Sequence, residues 1–288
     1  MPDAHHFLGL QATHNPHRWV LPVASKICVH RGFLFGGCGL AAAIAALEAT
    51  TKRPVVWAAA QYLSFTRPPA VLDIDVVVPV EGHHNAQARA VGHVGDKEIL
   101  TVNAALGTRE LAYEGTWATM PQVPDAASCE PVPSWPDVGE TIHTRVELRA
   151  AAGRFGKAQN GAPSPDGRSA MWARIPEGLE VSAAMLAVLA DWMPSGIGNA
   201  IGRWAGGNSL DNTIRIVRLV PTTWVLCDIQ VHAVAGGFGH GRVHLWAEDG
   251  TLLATASQSV IVRLHDSGEP TAPAASGAVD SGAASRRV

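Results

Sequence analysis

The residues best placed for chemistry are Asp211, His232 and Gln258 late in the chain, and the backbone around Gly37 and Cys38 early in it. Asp211 follows the glycine-rich run Gly206-Gly207-Asn208-Ser209, at a strand start where a carboxylate either faces a cleft or closes a turn. Gln258 lies among Ala256, Ser257 and Val260, so its amide must be satisfied by the core or by a water shared with Asp211. His232 sits in a strand-like run, and an imidazole with an unperturbed pKa of about 6.5 is either a base for a water or a strand histidine bonded to a neighbour. Gly36-Gly37-Cys38-Gly39 opens an apolar helix whose dipole favours negative charge at the N–H groups of Gly37 and Cys38, although the glycines also suit close packing. A helix N-terminus lowers a thiol pKa, which invites a nucleophile at Cys38; a small core residue is the plainer role.

Metal and cofactor chemistry find little support. His83-His84 and His240 fall in turns without a third ligand, and Cys28, Cys38, Cys129 and Cys227 form no CxxC pair for zinc or a disulfide framework. No metal and no cofactor are expected. A net charge of −3 without a Lys/Arg cluster excludes nucleic acid as a partner. Charged residues make up only 16% of the 288, so much surface is interior or interface, and a homo-oligomer is compatible with that. No apolar stretch is long enough to span a membrane, and Met1-Pro2-Asp3-Ala4-His5-His6 lacks the order of a signal peptide, so a cytoplasmic location is expected.

These residues need elements to position them. The Ala/Leu-rich run predicts a helix over 38–52, apolar on every face and therefore sheathed by other structure. Strands are predicted before it within 1–35, and after it over 55–65, 72–81, 86–91 and 98–106. Five prolines in residues 121–136 read as an extended linker. Beyond it, strands are predicted over 140–149 and 170–174, an apolar helix over 181–192 with Ser182 as its cap, and strands over 212–219, 224–233, 241–247 and 252–264.

The same order thus occurs twice. Arg67 and Arg218 lie 151 positions apart, and Ile99-Leu100-Thr101-Val102 lies 153 before Leu252-Leu253-Ala254-Thr255, which points to a tandem duplication. The units expected are 1–120, a linker at 121–136, 137–265, and a disordered tail at 266–288 of low apolar content.

Leu34-Phe35-Gly36-Gly37, Gln61-Tyr62-Leu63-Ser64-Phe65-Thr66-Arg67-Pro68, Ser209-Leu210-Asp211-Asn212 and Asp249-Gly250-Thr251-Leu252, in that order over about 7–264, resemble the acyl-CoA thioesterase II (TesB-like) family. The resemblance implies an α+β tandem (double) hotdog, each half a long central helix wrapped by a curved antiparallel sheet. It further implies hydrolysis of an acyl-CoA substrate to a free acid and coenzyme A by a water held between an Asp, a Gln and a Thr or Ser. By position these are Asp211, Gln258 and, where no hydroxyl stands, His232, with Gly37 and Cys38 as oxyanion donors. The alternatives are a non-catalytic acyl-CoA or lipid-binding hotdog protein, or a hotdog enoyl-CoA hydratase, which requires an Asp/His pair on a helix-adjacent loop.

Overall fold

A computed structural model describes residues 3–133, 139–177 and 180–265, so the expectation for the tail and for the end of the linker lies outside the described residues. The chain opens with α1 (Ala4–Leu8), β1 (Gln11–Ala12) and β2 (Arg18–Pro22), then α2 (Gly36–Thr51) and β3 (Val55–Tyr62), β4 (Val71–Glu81), β5 (Asn85–Val94) and β6 (Lys97–Gly107). The second half holds β7 (Glu130–Pro131), α3 (Ile142–Arg145), β8 (Glu147–Ala152), β9 (Arg168–Arg174), α4 (Ala183–Ala190) and α5 (Ile197–Ile201). It continues with β10 (Ala205–Ser209), β11 (Asp211–Ile216), β12 (Val225–Ala235), β13 (Phe238–Ala247) and β14 (Leu252–Leu264).

α2 starts where Phe35 leaves an extended conformation, and it stops at Lys52, whose φ of 56° turns the chain left-handed. Every residue from Gly37 to Leu47 is buried, as the missing polar stripe requires. α4 is buried throughout and begins on the expected cap: Met185 N–H donates to Ser182 Oγ at 3.2 Å. It ends two residues before the predicted limit, which places Asp191 at its C-cap.

Three other expectations change. Residues 142–145 are a helical turn, because Thr141 N–H donates to Thr144 Oγ1 at 3.0 Å and closes the turn; the strand begins only at Glu147. β3 ends at Tyr62, since the N–H groups of Leu63 and Ser64 both turn to Ile99 O. The Gly-rich run before Asp211 is the strand β10, held by β14, where backbone pairing replaces absent side chains.

All strand pairs are antiparallel, in the order β1-β2-β4-β5-β6-β3-β11-β14-β13-β12-β9-β8-β7, with β10 also on β14. Read outward from the centre, β3, β6, β5, β4, β2 on one side answer β11, β14, β13, β12, β9 on the other, so the two halves repeat one strand order about the β3–β11 seam. Gln61 faces Asp211 across that seam and Trp57 faces Arg215. α2 packs on β3 to β6, α4 packs on β11, β13 and β14, and the two helices pack on each other inside one continuous core. A smaller cluster of Trp172, Trp224, Leu226 and Trp246 lies outside the second half, covered by Ala118, Met120, Val123 and Ala126. Trp172 Nε1 donates to Pro124 O at 2.8 Å, so the described part of the linker is a strap on that half.

Candidate active site

α2 begins where α4 ends, and the meeting point is a carboxylate. Asp191 is 5% exposed, with Oδ2 accepting from Gly37 N–H at 2.6 Å across 154 positions of sequence. Its Oδ1 accepts from Ser209 Oγ at 3.3 Å, from Asn212 Nδ2 at 3.5 Å and from Gln258 Nε2. Gln258 Nε2 also donates to Ser209 Oγ at 2.6 Å, while Gln258 Oε1 is buried with no hydrogen-bond partner among the described residues. A Ser and a Gln from two strands thus converge on an Asp at a helix end, which in turn holds a glycine N–H from the other half.

Burial raises the Asp191 carboxyl to about 6, against the opposing pull of the hydrogen bonds from Gln258, Gly37, Ser209 and Asn212. At neutral pH it is mostly ionised yet basic enough to take a proton. Gly37 is required for this approach: a Cβ there would lie 2.8 Å from Asp191 Cβ and 3.0 Å from Ala187 O.

The sequence candidates divide. Gln258 is part of the cluster. Asp211 is not: it starts β11, where strand alternation turns Asn212 inward and fully buries it, while Asp211 Oδ1 accepts from Ser259 N–H at 2.7 Å. Its role is to pin β11 to β14. His232 is exposed at the irregularity between Val231 and Ala233, where β12 loses register with β13, and it takes no part in the cluster. Cys38 is wholly buried, its thiol is pushed far up by burial, and its N–H donates to Phe35 O at 3.0 Å. Gly37 N–H is already committed to Asp191, so neither proposed oxyanion N–H stands open.

Sequence reasoning missed Asp191, Ser209 and Asn212. The signal was present: Asp191 is the one charged residue between Glu180 and Arg203, at the end of an apolar helix where the dipole disfavours an anion. Ser209 stands two residues before Asp211, inside the very motif used to choose it.

Beside the cluster lies a cavity of about 1440 Å³, bounded by both halves. Asp191, Ser209, Tyr62 and Gly36 are among its lining residues, and Phe35, Trp192 and His143 form an aromatic part of its wall, with ring centroids 5.2 to 6.5 Å apart. His143 is held down to about 4, first by burial and then by His30, so it is neutral at pH 7.

Fold and sequence place this chain among the thioester hydrolases. Residues 123–262 match the model of the acyl-CoA thioesterase C-terminal domain. A solved structure from Novosphingobium aromaticivorans, provisionally assigned as a thioesterase, is 34% identical, covering 88% of this chain and 97% of its own at a TM-score of 0.78. This chain belongs to the thioesterase family of that structure, and its residues 123–262 match the acyl-CoA thioesterase C-terminal domain. The fold extends to a hot dog protein of unknown function from Alicyclobacillus acidocaldarius, 19% identical, with a TM-score of 0.79 over 91% of this chain and 98% of that one. An acyl-CoA thioesterase II, TesB2, from Mycobacterium marinum is 16% identical, with a TM-score of 0.71 over 91% and 98%. No curated protein matches the chain. Among the described residues no helix is long and apolar enough to cross a membrane.

Proposed function

We propose that this protein is a tandem (double) hotdog that hydrolyses an acyl-CoA thioester to the free acid and coenzyme A, with Asp191 as base in place of Asp211 and Ser209 in place of His232. The observation that carries the reading is the Asp191–Ser209–Gln258 cluster, tied to Gly37 through Asp191, with Asp191 and Ser209 lining the cavity. The second hotdog includes the strap formed by residues 118–132, in keeping with a family match that starts at 123.

The chemistry follows from the partners. A water held among Asp191 Oδ1, Ser209 Oγ and the Gln258 amide has a carboxylate to take one proton and the open Gln258 Oε1 to accept its other O–H. As the water oxygen bonds to the thioester carbon, the carbonyl electron pair moves onto oxygen and the proton passes to Asp191. Collapse re-forms the carbonyl, breaks the C–S bond, and returns the proton from Asp191 to the departing thiolate. Gly37 N–H fixes Oδ2 and so the direction in which Oδ1 faces.

Arg67, Lys157 and Arg263 also line the cavity, where Glu147 and Asp191 are the only carboxylates among the described lining residues. Glu147 is tied to Arg149 and Arg174, so a net positive field faces a phosphate-bearing leaving group such as coenzyme A. The test follows thiol release, with a thiol reagent, from straight-chain acyl-CoAs of several lengths. Turnover by the native protein and its loss in Asp191→Asn are expected; saturable binding without turnover at any length would sink the reading.

A further inference from the structure

Attack on a thioester places negative charge on the carbonyl oxygen, and hydrolysis needs a donor at that spot. The α2 mouth is the natural source, yet three of its first four N–H groups are engaged: Gly37 N–H on Asp191 at 2.6 Å, Cys38 N–H and Gly39 N–H on Phe35 O at 3.0 and 3.1 Å, which leaves Gly36 N–H as the one backbone donor there. Resting on the reading of Asp191 as base, we propose that Tyr62 is a catalytic residue whose phenolic O–H donates to the developing oxyanion.

Three observations place it there. Tyr62 closes β3, and its N–H donates to Leu210 O at 2.9 Å, which sets its backbone opposite Leu210, between Ser209 and Asp211 in the chain, at the seam between the halves. A Cβ built on Gly36 would lie 3.2 Å from Tyr62 Oη and 2.9 Å from Asp191 Oδ2, so the phenol and the carboxylate flank one glycine at the cavity wall. Tyr62 Oη is buried and has no hydrogen-bond partner among the described residues, a state in which a hydroxyl costs stability until something accepts from it. Burial, with Asp191 and Asp211 nearby, raises the phenol well above its ordinary value, which keeps the proton available for donation. Water therefore comes from the second half and the oxyanion donor from the first.

Tyr62→Phe in the full chain removes one oxygen and no packing volume. Its kcat should fall about 100-fold or more, with KM within about threefold. The acid limb of the pH–rate profile should keep its midpoint, and a non-hydrolysable acyl-CoA thioether should bind as it does to the native protein. A kcat within about threefold of native overturns the proposal. So does a loss of rate accompanied by a displaced acid limb, which makes Tyr62 a positioning residue for Asp191, or by weakened thioether binding, which makes it structural. Native turnover lost in Asp191→Asn but retained in Tyr62→Phe removes Tyr62 alone; absence of native turnover removes both.

Discussion

The two buried helices repeat each other in packing and differ at the ends that meet. α2 presents its N-terminus, with Gly36 and Gly37 so bare that another helix comes within contact of the backbone. α4 presents its C-terminus and caps it with Asp191, an acidic residue at the end that dipoles make unfavourable for one. The mismatch at α4 is answered by the positive end of α2 and by three side-chain donors. The first half thus contributes a backbone donor, and the second the carboxylate with its three side-chain donors. Neither half contains the arrangement alone.

Substitutions that act on one side of this pairing test it. The largest effect is expected for Asp191→Asn, which should lower kcat about 1000-fold or more in the thiol-release assay while the protein stays folded by circular dichroism. Ser209→Ala and Gln258→Ala should each cost about 10- to 100-fold, and combining either with Asp191→Asn should add little, because the three act as a unit. Gly37→Ala should lower kcat about 10-fold and stability by about 1–3 kcal/mol in a denaturant titration, since its methyl group must push α4 off the mouth of α2. The pH profile sharpens the electrostatics. With Asp191 raised to about 6, kcat/KM should climb with pH through about 6 and level off above it, as the carboxyl loses its proton and becomes the base. The smallest effect is expected at Asp211: Asp211→Ala should leave kcat within about threefold and cost about 1 kcal/mol of stability through the lost bond to Ser259 N–H.

How much the sequence disclosed depended on whether a residue type fits only one environment. The unbroken Ala/Leu run of α2 has no stable home but the interior, and the Gly-Gly opening before it marks a close approach, so helix, burial and mouth were all legible. Gln258 was legible for the same reason, an amide in an apolar strand. Asp191 was hidden by boundary placement: with the helix drawn through Trp192 the carboxylate looked like an ordinary last turn, whereas the true end at Ala190 makes it a cap. Asp211 drew attention because a carboxylate after glycines is conspicuous, but inward or outward direction depends on strand parity, and the break between β10 and β11 reset that parity. Tyr62 lay within the predicted strand over 55–65, and only tertiary structure shows its hydroxyl buried beside a glycine of the other element.

The seam between β3 and β11 has a thermodynamic consequence. Five residue pairs join the halves there, and the core runs through both helices without a break. Parting the halves would expose two apolar helices and two strand edges together, so partial opening has no low-energy form, and unfolding should follow as one cooperative event. Because Gly37 and Asp191 lie on opposite sides of that seam, the same transition should report on activity and on fold: a calorimetric scan and the temperature dependence of residual turnover should lose their signals at one midpoint.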